Sequence, residues 1–355
     1  MSGIKRYVAE ERDVDHAAAD MVRLWGTSLV SAGVDLHAKL DWFYRTAPAG
    51  PARAMLLTAF DGDHCTVVGC EGIGFRRVWL GDRELRAALL ADLAVDPRHR
   101  TLLPALMLVR RARETAASSA EFQYGFPNRK AIGVFQRAGY RPLGTMPRSV
   151  RVLRFGPYLA RRVRLPLLSS LGGAVLDGAS AILRALPRLR ASAGFRLAFP
   201  VEPDERFDAL FDVARTRYGV IAERGRDFLR WRFFAGQGRA ELATLERRGD
   251  GALRAYAVVT RRDGVAHLSD FLAASDPELE ALFALLVPVL RSQGCASASV
   301  RFLGTARVRS LLERSGFRFR DADRTVVTDA GEDPARAAVI ADVENHYLTE
   351  ADEDN

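Results

Sequence analysis

Residues 51–95 hold three extended apolar runs in close succession, and that succession restricts the fold more than any other feature of the chain. The runs are PARAMLLTAF, HCTVVGCEGIGFRRVWL and ELRAALLADLAV, separated only by Asp61-Gly62-Asp63 and Gly81-Asp82. Connections this short join antiparallel neighbours, because a parallel crossover takes about a dozen residues or more. Upstream, IKRYVAEE alternates like a strand. HAAADMVRLWGTSL then carries apolar residues at helical spacing with Asp15 placed as its N-cap, and a second helical stretch, HAKLDWFYRTAP, ends at Pro48. Downstream come a helix over TLLPALMLVRRARETA with Leu102, Leu106 and Val109 on one face, the strand EFQYGF, the helix RKAIGVFQRAG, and an extended run from Tyr140 to about Phe155. The order is strand, two helices, three strands, helix, strand, helix, strand, which predicts an α/β domain with a mixed, mainly antiparallel sheet flanked by helices.

The chain has 355 residues, too many for one ordinary domain. Its second half repeats the first in outline. A helix over DERFDALFDVARTRY precedes RGRDFLRWRFF, and the strands ELATLERR, LRAYAVVTRR and VAHLSDFLAA follow, with turns at Gly249-Asp250 and Asp263-Gly264. The helix PELEALFALLVPVLRSQG, the strand CASASVRFL, the helix ARVRSLLERSGF and the strand RTVVTDA complete it. The expected organisation is two like domains, 1–155 and 200–340, an interdomain helical linker at 156–199, and a solvated acidic tail at 341–355. Leu165 to Leu183 has one charge in nineteen residues and is flanked by arginines, but Pro166, Gly172, Gly173 and Asp177 weaken a membrane span. It reads as interdomain helices, with a membrane-surface helix over 157–192 as the alternative.

The net charge of +8 comes from arginine far more than lysine. It favours anionic partners such as CoA phosphates, nucleic acid or acidic lipid without choosing among them. Cys65, Cys70 and Cys295 are odd in number and form no CxxC pair, so they read as buried thiols, with no disulfide framework and no zinc site. The N-terminus lacks an apolar stretch of signal-peptide length, which points to a cytoplasmic location. Gly69, Gly72 and Gly74 lack dinucleotide spacing and precede a strand, so GCEGIG is a bulged strand or hairpin whose glycines would widen access to a cleft.

Two segments carry chemistry. DPRHRTLLPAL joins the third run to a helix, and YGFPNRKAIGVFQRAGYRPLG joins a short strand to an amphipathic helix through Pro127 and Asn128. Together with the element order they resemble the GNAT (GCN5-related) N-acetyltransferases, and the whole chain resembles a tandem GNAT protein. That resemblance implies an acyl-CoA-dependent N-acyltransferase, acetyl-CoA or another acyl-CoA being its substrate. The acceptor would be a small-molecule, sugar or peptide amine, and no nucleic acid is expected. Arg100, Leu103 and Ala105 fall where the family's Arg/Gln-x-x-Gly-x-Gly/Ala loop points helix N-terminal amides at the CoA pyrophosphate. Thr101, Leu102 and Pro104 complete the loop. Leu103 replaces its glycine, and Pro104 removes one N–H. A plain polar turn capping the helix is the alternative for DPRHR. The backbone of Leu93, Ala94 and Val95 would bond the pantetheine and acyl group, and Asn128 and Ala131 would line the same arm. Phe135 falls where the family presents a tyrosine that protonates the leaving thiolate, and it has no proton to give.

Asp92 is the best general base, as an ionisable group inside an apolar strand; its alternative is bonding to backbone at a bulge. Tyr124 and His99 are lesser candidates, and a lone histidine in a turn such as His99 is usually exposed. Trp231 and its aromatic neighbours read as domain-on-domain packing, with Asp227 or Arg230 pairing across. The second copy lacks both signatures, with Leu312 in the tyrosine position, and reads as structural or acceptor-shaping. A GNAT-fold binding protein that transfers nothing is the alternative reading of the whole chain.

Overall fold

The computed structural model describes residues 6–28, 35–155, 188–235 and 240–354. The chain opens with β1 (Arg6–Arg12), α1 (Val14–Ser28) and a short α2 (Leu36–Lys39) that widens into π-helical turns over Leu40–Arg45. Asp13, not Asp15, caps α1. Its carboxylate accepts from the amides of Asp15 and His16, because a cap must precede the amides it satisfies and Asp15 already lies inside the first turn. β2 (Arg53–Asp61), β3 (His64–Leu80) and β4 (Arg83–Val95) form the expected antiparallel set. α3 (Leu102–Ala117), β5 (Phe122–Gly125), α4 (Ile132–Ala138) and β6 (Arg141–Val152) complete the first unit.

The second unit retraces this order with β7 (Phe195–Ala198), α5 (Arg206–Arg215), an extra strand β8 (Val220–Ala222), and α6 (Arg226–Leu229), which also runs into π-helical turns, at Arg230–Phe234. Strands β9 (Glu241–Arg247), β10 (Leu253–Arg262) and β11 (Val265–Ala273) precede α7 (Asp276–Ser292) and β12 (Ser297–Arg301). After β13 (Leu303–Gly304) come α8 (Ala306–Arg314), β14 (Arg318–Asp329), α9 (Pro334–Ala341) and β15 (His346–Leu348). The linker reading and the membrane-surface alternative fall mostly on 156–187, outside the described residues. Among the described residues no helix is long and apolar enough to cross a membrane.

The two units share one sheet. β5 pairs β4 on one side and β14 of the second unit on the other, while β12 pairs β11 and then β6 of the first unit; β6 and β14 pair with each other at the centre. Each unit's last long strand therefore lies against the other unit's fifth strand.

Above the sheet the two π-helical segments meet. The rings of Trp42 and Trp231 stack at 4.9 Å. Trp42 Nε1 donates to the Trp231 carbonyl at 2.7 Å, and Trp231 Nε1 donates to the Trp42 carbonyl at 2.8 Å. Trp231 does pack domain on domain. Asp227 and Arg230 do not pair across, since Asp227 takes Arg226 and Arg230 takes Glu202, both within the second unit.

Further expectations change. Cys65 is exposed, at the end of a hairpin, while Cys70 and Cys295 are buried. Gly72 and Gly74 do not open a cleft. An added Cβ on Gly72 would overlap the Tyr44 ring, and one on Gly74 would lie 2.5 Å from Phe43 Cζ, so the glycines let these aromatics press on the sheet. The C-terminal segment is not solvated. β15 pairs β8 and β13, and Thr349, Ala351, Asp352 and Glu353 are buried, with Glu353 paired to Arg324. Charge composition mispredicts it because partners from both units neutralise it.

Trp231→Ala removes a buried ring and the bond its indole N–H donates to the Trp42 carbonyl, and should cost about 3–5 kcal/mol in urea unfolding. Val201→Ala, at an 87% exposed position, should stay within about 0.5 kcal/mol.

Candidate active site

β4 and β5 are bonded only from Ala87 to Leu90 and from Phe122 to Gly125. Past that point β4 continues beside β3 to Val95, whereas the chain after Gly125 turns away through Phe126 and Pro127. A wedge opens between them. Its upper end is the turn at 96–101, where Asp96 caps Pro97–His99 and α3 begins at Leu102.

Asp92 sits at the mouth of the wedge. Cys70 and Gly72 of β3 pair with Ala94 and Ala91, so Asp92 and Leu93 together oppose Glu71, and Asp92 takes φ +57. The bulge of the alternative reading is present, but the carboxylate does not bond to neighbouring backbone. Instead it accepts from Lys39 Nζ at 2.5 Å and from the Tyr44 hydroxyl at 3.0 Å. Burial raises its pKa to about 6, against the pull of Lys39 and with a further push from Asp354. Burial alone would lower the Lys39 pKa, but the carboxylates of Asp92 and Asp354 outweigh it and the ammonium is held. Burial, then Asp92, pushes the Tyr44 phenol well up. Glu71, across the bulge, is buried with neither carboxylate oxygen bonded, and burial pushes its pKa well above the carboxylate range.

Lys39 and Tyr44 were not read as site residues, and the reason is geometric. They are five residues apart, a spacing that an α-helix places on different faces. The π-helical turns over Leu40–Arg45 bring i and i+5 together. No signal in HAKLDWFYR marks that widening.

Tyr124 lies on the same face of the sheet, buried, with its hydroxyl unpartnered and its pKa pushed up by burial. His99 is not exposed; it is buried, with Nδ1 3.0 Å from the Tyr7 hydroxyl. Of the loop residues, Arg100 spends its side chain on the turn itself, donating from Nε to the Val95 carbonyl at 2.8 Å and from Nη2 to Ser28 Oγ at 2.8 Å. The Thr101 amide is bonded to the His99 carbonyl. The first-turn amides of Leu102, Leu103 and Ala105 remain to face a ligand, and Pro104 has none. Leu103 is 59% exposed, so its side chain points out into solvent.

Ala94 and Val95 are buried, and Leu93 packs toward α3 and α4. Asn128 accepts from the amides of Lys130 and Ala131 at 3.0 and 3.2 Å, which fixes the turn into α4. Phe135 is a core residue, 5.3 Å from the Tyr140 ring. The wedge, the α3 amides and the unbonded β4 edge fit an extended thioester with a diphosphate at one end.

The second unit carries its own carboxylate on β11. Asp270 stands beside that strand's register shift and accepts from Tyr256 at 2.6 Å, Thr349 at 2.7 Å and Arg224 at 3.3 Å. Arg224 also donates to Asp352 at 2.5 Å. The C-terminal segment thus fills this unit's face.

No family model matches the sequence, and no curated protein does. Solved structures do. A conserved protein of Enterococcus faecalis V583, described as a probable N-acyltransferase, is similar over 92% of this chain and 72% of its own, with TM-score 0.63 at 9% identity. GCN5-related N-acetyltransferases from Kribbella flavida (TM-score 0.57, 12% identity, 91% and 71% covered) and Anabaena variabilis ATCC 29413 (0.59, 11%, 91% and 72%) resemble it similarly. At these identities the likeness is one of fold, and the chain has the tandem GNAT fold.

Lys39 holds Asp92 down against burial, so Lys39→Met should raise the Asp92 pKa above about 6, read by carbon NMR of the carboxyl. The Asp92 pKa is raised above its ordinary 3.8, so its stabilising contribution is full below about pH 4 and is lost as pH rises through about 6.

Proposed function

We propose that the chain is an acyl-CoA-dependent N-acyltransferase acting on an amine, with the first unit as the catalytic one. The observation that carries this reading is Asp92, a buried carboxylate with a pKa of about 6 at the mouth of the wedge between β4 and β5. The acyl-CoA supplies the activated acyl group as a thioester. The α3 amides of Leu102, Leu103 and Ala105 hold its diphosphate, and the β4 edge at Leu93–Val95 bonds the pantetheine arm and the acyl oxygen. Asn128 and Ala131 line the opposite wall.

Asp92 is mostly ionised at pH 7 and takes the proton that the amine must lose as its nitrogen attacks the carbonyl. Lys39 and Tyr44 fix the carboxylate's direction. Phe135 gives no proton, so the departing thiolate draws its own from water. The second unit positions the first and walls the acceptor side. Phe135 and the missing loop glycine favour a second reading, a binding protein that transfers nothing.

Calorimetry with acetyl-CoA and longer acyl-CoAs, and thiol release with amine panels, test both readings. Binding with turnover supports transfer, binding without turnover on any amine supports the second reading, and no binding sinks both. Asp92→Asn should lower turnover by about 10²–10⁴-fold, and wild-type kcat/KM should rise with pH through about 6 as Asp92 ionises. Leu103→Asp should weaken acyl-CoA binding by tenfold or more through repulsion of the diphosphate. It should leave the melting temperature unchanged or slightly higher, since a carboxylate suits a helix N-terminus.

A further inference from the structure

Arg76 is a buried guanidinium with most of its donors unused. It lies on β3, 3% exposed, with its guanidinium carbon 4.6 Å from the Trp231 ring and 5.4 Å from the Phe43 ring. Nη1 donates to the Phe75 carbonyl at 2.8 Å, whereas Nε and Nη2 have no partner. Those two form the edge of the guanidinium whose parallel N–H bonds match the two oxygens of one carboxylate. Stacking alone does not account for the residue, because an apolar side chain would fill the space without an unmet charge. Leaving a buried charge unpaired is among the costliest arrangements a fold can keep.

A second unmet group stands beside it. Register places Arg76 level with Ala87 and Phe122, and Gly74 level with Leu89 and Tyr124, so Arg76 and Tyr124 occupy adjacent rungs. The Tyr124 hydroxyl is buried and unpartnered too. It lines a cavity with Val78, Phe122, Thr328 and Asp352. Asp352 does not bond Arg76: its Oδ2 is taken by Arg224 and the Thr349 amide, and its Oδ1 has no partner. Arg76, Tyr124 and Asp92 share the sheet face that Phe43 and Tyr44 cover.

We propose that the Nε/Nη2 edge of Arg76, with the Tyr124 hydroxyl, binds a carboxylate of the acceptor, so that the substrate class is an amine carrying a carboxylate at some distance from its nitrogen. This rests on the transfer reading above. The Tyr124 rung is three residues from Asp92 along β4, on the order of 10 Å. That span suits an ω-amino acid or a peptide better than an α-amino acid reacting at its α-nitrogen. A carboxylate fits better than a phosphate, whose third oxygen would meet no donor on this edge.

The test uses the full chain with 6-aminohexanoate, its amide, glycine, and an aminoalkyl phosphate of equal length, in two assays: direct calorimetry without acyl-CoA, and thiol release with acetyl-CoA. The acid should bind at least tenfold more tightly than the amide and the phosphate, and react at least tenfold better than glycine. Arg76→Met should erase the preference for acid over amide while leaving acetyl-CoA affinity unchanged. If that variant does not fold, Tyr124→Phe, which loses only a hydroxyl, should narrow the preference severalfold. Equal binding of acid and amide, a preference for the phosphate, or a preference that survives Arg76→Met or Tyr124→Phe overturns the proposal. Acid binding that depends on Arg76 in a chain with no acetyl-CoA affinity would keep the carboxylate site and sink transfer.

Discussion

The hydrogen bonds that each unit's fifth strand makes to the other unit's last strand hold the remaining features in place. β5 has only four residues, and its pairing to β4 covers four rungs. Its other edge is secured by β14, with Val327, Thr328 and Asp329 opposite Gly125, Tyr124 and Gln123. One wall of the wedge is therefore clamped by the second unit. The central β6–β14 ladder and the reciprocal Trp42–Trp231 pair fix the same relation from the middle of the sheet and from above it. A site on the first unit thus depends on a second unit that lacks the loop signature.

Charge follows the same division. Exposed arginine pairs such as Arg111 with Glu114 contribute little to stability. The buried ones are different, because a buried guanidinium without a counter-charge is costly to the fold. The C-terminal segment supplies a counter-charge to one and neutral acceptors to another: Asp352 pairs with Arg224, and the carbonyls of Glu350 and Ala351 accept from Arg232. Burial still lowers the Arg232 pKa to about 10, with Arg76 adding to the fall. Arg76 is left with attraction from a distance and no bond on its open edge.

The strands and helices of the first unit were legible because period-2 runs separated by two or three turn residues leave little choice. β3 spans the same residues, 64 to 80, as the run read from the sequence. Asp92 was legible because a charge inside AALLADLAV has no solvent to face. Lys39 and Tyr44 were not, since their convergence needs a π-helical widening that no residue type announces. Which edge β5 and β12 would choose was hidden as well, because such pairings depend on chain segments far apart in sequence, as Gly125 is from Val327 and Val152 from Ser297. The tail misled for a plain reason: EADED looks solvated until its partners, contributed by both units, are known. His99 misled in the same way, its partner Tyr7 lying 92 residues away.

Asp92 and Asp270 together explain why the two units cannot be equivalent. Each is a buried aspartate beside a register shift in the same strand of its unit, and each accepts from a tyrosine hydroxyl. Their remaining partners decide the difference. Asp270 is tied by a guanidinium that stays charged at any accessible pH, by Thr349, and by a C-terminal segment that covers its face. Asp92 is held by one ammonium and one phenol, and its pKa stays near 6, where a carboxylate can take up a proton and give it back. The second unit thus surrounds its aspartate with three donors beneath the C-terminal segment, whereas the first leaves its aspartate two donors at the mouth of an open wedge.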